Sequence, residues 1–318
     1  MSAADAAAGV GSIGAGAGSA GGKAAAGRRG RWVGRGPSPA AGITSPTRGP
    51  AALASNLALL LLFVVFLLPF AWLILSSVET GSGLSAAPTW HFTLANFSAV
   101  LTVDTVFRPM LNSLILSGGT ALLTVAAAAL AAYPLSRFHL RFRKSFLYTI
   151  LFATGLPITA VMVPVYSLYA RFNLTDSIPA TILFMAASSL PFAIWMTKNF
   201  MDGVPVSLEE AAWTDGANWF QSLWRIVLPL MAPGIVVVFI FTFVMQWGNF
   251  FIPFILLLSP EKQPASVTIY TFFSQYGQVA YGQLAAFSII YTAPVVMLYG
   301  VLSKFLGGAF NLTGAVKG

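Results

Sequence analysis

Long runs of apolar residues, separated by short polar stretches, dominate the chain after residue 50. A helix needs about 20 apolar residues to cross the hydrocarbon core of a membrane, and several runs reach that length. They are Leu53–Leu75, Asn112–Leu135, Phe146–Ala170, Ile178–Thr197, Met231–Leu258 and Leu284–Leu302. The pattern predicts an all-α, polytopic membrane protein with six transmembrane helices.

The first 50 residues have a different composition, since 26 of them are Ala or Gly and six are basic. Such a segment cannot bury enough apolar surface to offset the entropy of ordering it. We therefore predict a disordered, basic tail over residues 1–50. A transmembrane domain is predicted over residues 51–318.

The basic residues between the apolar runs predict the orientation. With a cytoplasmic N terminus, 14 of the 17 Lys and Arg residues fall on the cytoplasmic side, and only Arg108, Arg171 and Lys262 fall outside. Membrane proteins concentrate basic residues on the cytoplasmic side. Both termini are therefore predicted to be cytoplasmic, as is the loop 198–230. The net charge of +8 then reflects membrane topology, with lipid and not nucleic acid as the expected partner.

The apolar runs contain none of the 26 charged residues. Proton-coupled carriers, voltage sensors and membrane-embedded enzymes need ionisable groups at membrane depth. The uncharged runs therefore argue against all three classes of protein. The chain also has no cysteine, and neither of its two histidines lies in an apolar run, so we expect no metal site. If the protein drives uphill transport, the energy must enter through a cytoplasmic loop. A passive channel or secondary carrier is the alternative.

The loop 198–230 carries recognisable helix signals. Ser207 with Glu210 three residues later predicts a capping box at the start of a helix, and Gly216 predicts its end. Asn218 with Gln221 predicts the start of a second, amphipathic helix. We expect a short helix, a glycine turn and a second helix, a shape suited to a groove on another protein.

The spacing within this loop resembles the signature of the permease subunits of ABC importers. Three residues separate Glu210-Ala211-Ala212 from Gly216, and nine more separate Gly216 from Ile226-x-Leu228-Pro229. The resemblance covers most of residues 53–318 and is strongest to the second permease subunit of maltose-type carbohydrate importers. It implies the type I ABC-importer permease fold, in the plasma membrane of a prokaryote.

The resemblance also implies partners. The loop would dock as a coupling helix pair on an ATPase subunit, with Glu209 or Glu210 meeting polar groups there. The expected partners are a second, similar permease, a homodimeric ATPase and an extracytoplasmic sugar-binding protein. The chain has no G-x-x-x-x-G-K-[ST] motif, so we expect no enzymatic activity and no bound cofactor, with ATP and Mg²⁺ held by the ATPase. The predicted coupling residues are Ser207, Glu209, Glu210, Ala211, Ala212, Asp215, Gly216, Ile226, Leu228 and Pro229.

Aromatic and amide side chains near the fifth apolar run predict a solute path, because sugars are bound by ring faces, amides and hydroxyls. The candidates are Gln246, Trp247, Asn249, Phe250, Phe251 and Tyr276. The alternative is that the amides hold helices together and the aromatic rings anchor the protein in the membrane. Uncharged runs favour a neutral oligosaccharide resembling maltose or trehalose, with glycerol phosphate or a polyol as alternatives.

Overall fold

A computed structural model describes residues 50–80, 91–273 and 279–314. The chain divides into two compact units, Met1–Leu60 and Leu61–Gly318. The described part of the first unit, from residue 50 onwards, is helical. Residues 1–49 of the predicted tail lie outside the described residues, so the disorder of the tail stays a prediction. Every contact discussed below lies within the second unit.

Helices account for most of the described residues. They are α1 (Pro50–Ser77), α2 (Ala95–Val100), α3 (Arg108–Arg137), α4 (Arg143–Ala153), α5 (Ile158–Arg171), α6 (Ile178–Asp202), α7 (Val206–Thr214), α8 (Trp219–Ser222), α9 (Leu228–Leu230), α10 (Ala232–Trp247), α11 (Phe251–Leu256), α12 (Ala265–Thr268) and α13 (Tyr281–Gly314). Single π-helical turns, Val103–Phe107 and Leu223–Val227, precede α3 and α9, and 3₁₀ turns flank α12 at Pro260–Lys262 and Ile269–Phe272.

Four segments of the described chain are long and apolar enough to cross a membrane as single helices: Ala52–Val78, Val103–Arg137, Ile178–Asp202 and Tyr281–Val301. Two pairs of shorter helices also pass this test, and they raise the number of spans to as many as six. The predicted all-α, multi-pass fold is confirmed. The count of six spans and the cytoplasmic position of both termini stay predictions.

The third predicted span is not one helix. It is divided into α4 and α5, whose axes meet at 90°. Pro157 lies at the break and precedes the first residue of α5 with extended backbone angles (φ −59°, ψ 123°). Proline disfavours helical geometry in the residue before it, here Leu156, which explains why the helix predicted over Phe146–Ala170 is interrupted there.

The fifth predicted span, Met231–Leu258, is interrupted as well. Helix α10 stops at Trp247, and α11 begins at Phe251 after a break that contains Gly248. At its other end α10 is bent by 79° from the segment Trp219–Leu230. That bend lies between Pro229 and Pro233, as the two prolines predict.

Helix α3 packs along both α6 and α10. Its buried positions are mostly small, among them Ala121, Ala128 and Ala132. A Cβ atom added to Gly119 would lie 2.9 Å from Cδ1 of Ile182 on α6. Small residues allow membrane helices to approach closely, and this explains the tight packing of α3 on its neighbours.

The start of α3 holds the segment that follows α11. The Asn112 amide donates to the carbonyl oxygens of Glu261 (2.8 Å) and Gln263 (3.1 Å). The Ser113 hydroxyl accepts a hydrogen bond from the backbone N–H of Ala265 at 2.9 Å. Two adjacent polar residues of α3 therefore fix three residues that lie about 150 positions further along the chain.

A second set of polar contacts joins the turn before α6 to the segment that follows α11. The carboxylate of Asp176 accepts hydrogen bonds from Lys262 Nζ (2.6 Å), the Ser259 hydroxyl (2.7 Å) and the Ser259 backbone N–H (2.9 Å). Partial burial raises the pKa of Asp176, but these bonds and the Lys262 charge outweigh it and hold the pKa well below its usual range.

Candidate functional site

The first helix of the loop begins earlier than the sequence predicts. Helix α7 starts at Val206 after Pro205, and no side chain caps it. The predicted capping box of Ser207 and Glu210 is therefore wrong. Because the fixed φ of Pro205 starts the helix two residues earlier, Ser207 lies inside the first turn, where it cannot act as the cap.

The turn and the second helix follow the prediction. Gly216 has φ +89°, the left-handed geometry that favours glycine, and its surroundings are open. The Asn218 side chain then accepts from the backbone N–H of Gln221 at 2.8 Å, and the Gln221 side chain accepts from the Asn218 N–H at 2.9 Å. This capping box starts α8 as expected.

The two adjacent glutamates of α7 have different environments. Glu209 is fully buried. Its carboxylate accepts hydrogen bonds from the Tyr133 hydroxyl (2.9 Å) and from Arg137 Nε (2.5 Å). The side chain of Arg137 is only 3% exposed, and it also donates to the carbonyl oxygen of Val204 at 3.1 Å. We refer to Tyr133, Arg137 and Glu209 as the charged cluster.

Glu210, in contrast, is exposed and has no hydrogen bond or ion pair within the part of the chain that the structure describes. Of the other predicted coupling residues, Ser207, Ala211, Asp215, Gly216 and Pro229 are also exposed, whereas Ala212, Ile226 and Leu228 are half-buried. This exposed surface is available to a partner, and Glu209 is not part of it.

An apolar group and a second set of ion pairs support the loop. Leu223 and Val227 pack with Tyr133 and Met201 in one buried cluster. Nearby, Asp202 at the end of α6 forms ion pairs with Lys198 and with Arg143 at the start of α4, and it accepts a hydrogen bond from Ser136 at 2.7 Å. The ends of α3 and α6 and the start of α4 are thereby joined beside the loop.

The amides of the predicted solute path bind one another. Gln246 donates to the Ser189 hydroxyl on α6 at 2.7 Å, and the Asn249 amide donates to Gln246 Oε1 at 2.9 Å. Asn249 lies in the break between α10 and α11, where its carbonyl oxygen accepts a hydrogen bond from the Ser266 hydroxyl at 3.0 Å. We refer to Ser189, Gln246 and Asn249 as the amide cluster. Gln246 and Asn249 are half-buried.

Trp247 and Phe251, by contrast, are packing residues in this structure. Trp247 is 3% exposed, and its indole N–H donates to the carbonyl oxygen of Tyr291 at 3.2 Å. The Tyr291 hydroxyl donates in return to the Trp247 carbonyl oxygen at 2.6 Å. Phe251 packs against the apolar cluster around Met162 and Leu256. The remaining candidate, Tyr276, lies outside the described residues.

Aromatic rings form a row beside the amide cluster. Phe250 stacks on Phe254 with ring centroids 4.9 Å apart, and Tyr270 lies 6.3 Å from Phe250 and 6.0 Å from Phe273. Phe254, Tyr270 and Phe273 are exposed. We call these four residues the aromatic row. Phe250 and Phe254 lie four residues apart, whereas Tyr270 and Phe273 join them only when the segment after α11 folds back.

Comparison with known proteins identifies the family. Residues 124–309, more than half of the chain, match the family described as binding-protein-dependent transport system inner membrane component. The chain belongs to this family. It is thus a multi-pass permease subunit of an ABC transporter in a prokaryotic inner membrane, not an enzyme, and the ATPase of such a system is a separate subunit.

Individual relatives agree with this assignment. The chain is 27% identical over 264 residues to the diacetylchitobiose uptake system permease protein NgcG of Streptomyces coelicolor. The aligned region covers 82% of this chain and 87% of that protein. It is 29% identical over 273 residues to the inner membrane ABC transporter permease protein YcjP of Escherichia coli, covering 82% and 94%.

The fold has a counterpart among solved structures. A chain of a bacterial ABC transporter involved in the import of the acidic polysaccharide alginate matches with a TM-score of 0.71 at 20% sequence identity. The match covers 82% of this chain and 99% of that chain. The permease fold expected from the loop signature is thereby confirmed.

Proposed function

We propose that this chain is one of two permease subunits of an ATP-driven importer for a neutral oligosaccharide. The observation that carries the proposal is the amide cluster beside the aromatic row. Half-buried amides held by neutral hydrogen bonds to each other and to Ser189 can exchange those bonds for sugar hydroxyls, and exposed ring faces stack on sugars. The resemblance to a diacetylchitobiose permease supports a sugar, and the uncharged spans favour a neutral one.

Coupling to the ATPase forms the second part of the proposal. The exposed surface of α7 and the turn after it, with Glu210, Ala211, Asp215 and Gly216, would dock on the ATPase subunit. Its compact shape and its two acidic side chains suit a groove lined with polar or basic groups. The second permease and an extracytoplasmic binding protein complete the proposed assembly.

Substrate choice can be tested with the reconstituted assembly in nanodiscs. The measurement is ATP hydrolysis stimulated by the binding protein with neutral disaccharides, an acidic oligosaccharide, glycerol phosphate or a polyol. We expect stimulation by a neutral oligosaccharide, and stimulation by the acidic or phosphorylated solutes alone would contradict the proposal. Uptake into vesicles that continues without ATP would instead indicate a secondary carrier.

Docking can be tested at the glycine turn. Gly216→Val places a β-branched residue at a positive φ, so it should distort the turn and release the ATPase during affinity purification. Gly216→Asn is the matched control, because asparagine tolerates this geometry, and it should retain the ATPase. Full retention by Gly216→Val together with normal transport would contradict the docking role.

A further inference from the structure

Helix α3 is fastened at both of its ends by polar contacts. At its last turn Tyr133 and Arg137 hold Glu209 of α7, and at its first turn Asn112 and Ser113 hold the segment Glu261–Ala265. Tyr133 lies 20 positions after Ser113, which corresponds to about 30 Å along a helix. The coupling loop and the segment after α11 therefore contact the same helix at opposite ends.

Between these ends, α3 contacts its neighbours mainly through small apolar residues such as Ala121, Ala128 and Ala132. The buried hydroxyls of Thr120 and Thr124 have no hydrogen-bond partner within the described part of the chain. The packing there is close, with Ile182 of α6 lying against Gly119. The polar contacts that bind α3 to α7 and to the segment after α11 thus lie near its two ends, whereas its middle is held mainly by packing.

The contact at Glu209 is well suited to persist during movement. Both partners of the ion pair are buried, and separating them would leave a buried charge without a counterion. Arg137 is further held by the carbonyl oxygen of Val204, the second residue before α7. A displacement of α7 should therefore carry the last turn of α3 with it.

The contacts at the first turn of α3 reach the amide cluster. The segment held by Asn112 and Ser113 continues into Ser266, whose hydroxyl donates to the carbonyl oxygen of Asn249. A shift of α3 would thus be delivered to the break between α10 and α11, where the amide cluster lies.

We propose that Arg137 and Glu209 are positioning residues for transport: their buried ion pair makes α7 and α3 move together, so that α3 transmits displacement of the coupling loop to the amide cluster. The inference rests on the proposed docking of the loop on the ATPase. It assigns adjacent glutamates different tasks, with Glu210 at the partner surface and Glu209 as the internal connection.

The test replaces the ion pair without leaving an unpaired charge. In Arg137→Met/Glu209→Leu two apolar side chains of similar size fill the site, and such replacements are often neutral for folding. The matched control, Asp104→Leu/Arg108→Met, removes the exposed ion pair at the opposite end of α3. Each assembly is purified, and the sugar transported per ATP hydrolysed is measured in vesicles.

We expect the Arg137→Met/Glu209→Leu assembly to retain its ATPase and to lose at least tenfold in sugar transported per ATP. The control assembly should transport with the native ratio. A native ratio in the Arg137→Met/Glu209→Leu assembly would overturn the inference, since the pair would then serve folding alone. Loss of the ATPase from that assembly would also overturn it, because Glu209 would then belong to the docking surface.

If the Arg137→Met/Glu209→Leu variant does not accumulate in cells, Tyr133→Phe tests the inference instead. This variant removes one hydrogen bond to Glu209 and leaves the charges paired, and we expect the ratio to fall at least twofold. An unchanged ratio would overturn the inference. The docking proposal has its own test, since it fails if the Gly216→Val variant retains the ATPase and transports normally. Failure of the docking proposal and failure of this inference can therefore be distinguished.

Discussion

The charged cluster and the amide cluster hold helices together by different chemistry. In the charged cluster a buried carboxylate and a buried guanidinium are paired with each other, and separating them would leave a buried charge without a counterion. In the amide cluster the groups are neutral and half-buried, and each hydrogen bond contributes only about 1 kcal/mol net. Charges thus suit a permanent connection, whereas amides suit the proposed site, which would exchange its hydrogen bonds with a solute.

The largest expected effect comes from removing one charge of the charged cluster. Arg137→Met leaves Glu209 buried and unpaired, and should lower the free energy of unfolding by about 3–5 kcal/mol. Thermal unfolding in detergent measures the change. Arg141→Met, at an exposed position, is the control and should change stability by less than about 0.5 kcal/mol. Equal losses in both variants would break the comparison.

A smaller effect is expected from the hydroxyl of the same cluster. Tyr133→Phe removes the hydrogen bond to the Glu209 carboxylate but leaves the ion pair, so it should cost about 1.5–3 kcal/mol in the same unfolding measurement. Tyr148→Phe, which changes a highly exposed ring on α4, is the control. If Tyr133→Phe proves neutral, the cluster depends on the ion pair alone.

The contacts of Asp176 are partly exposed. Their contribution to the free energy of unfolding should be smaller than that of the charged cluster and larger than that of the amide cluster. Asp176→Asn should cost about 1–2 kcal/mol. Because the pKa of Asp176 is held below its unfolded value, its carboxylate stabilises the fold fully above about pH 5, and this contribution is lost as the pH falls through the folded pKa.

The difference in unfolding free energy between Asp176→Asn and the native protein should therefore stay constant from pH 8 to pH 5 and shrink below about pH 4. Unfolding measured over this pH range checks the prediction. The control is Asp104→Asn in the more exposed pair with Arg108, which should cost less than about 1 kcal/mol. A difference that grows on acidification would refute the assigned direction of the shift.

The smallest effect on stability is expected in the amide cluster. Gln246→Leu should change the free energy of unfolding by about 0.5–1.5 kcal/mol, because only neutral hydrogen bonds are lost. Sugar transport in vesicles should nevertheless fall about tenfold. Ser167→Ala, which removes an exposed hydroxyl bonded within α5, is the control and should transport normally. A stable Gln246→Leu variant with native transport would remove the amide cluster from the proposed path.

Several features of the fold were predictable because their causes are local. The apolar runs, the left-handed turn at Gly216 and the capping box of Asn218 with Gln221 each depend on a few neighbouring residues. Even so, local patterns misplaced the start of α7, where Pro205 acts before Ser207 can. They also do not give the 90° angle between the two halves of the third apolar run, which meet near Pro157.

Contacts between distant residues were not predictable in the same way. Glu209 lies 72 positions from Arg137, and Asn112 lies about 150 from the carbonyl groups that it holds. Tyr133 and Arg137, four residues apart and thus on one helix face, were the only local signal of the charged cluster. Nothing in that spacing identifies the partner of Arg137.

The sequence by itself determined that the chain is a helical membrane protein with the loop signature of ABC-importer permeases. Only the tertiary structure decided which of its two adjacent glutamates faces inward. Neighbouring residues on a helix point about 100° apart, so the side on which α3 packs buries Glu209 and leaves Glu210 exposed. Helix propensity and charge are nearly the same for both glutamates, and the distinction arises only when α3 and α7 meet.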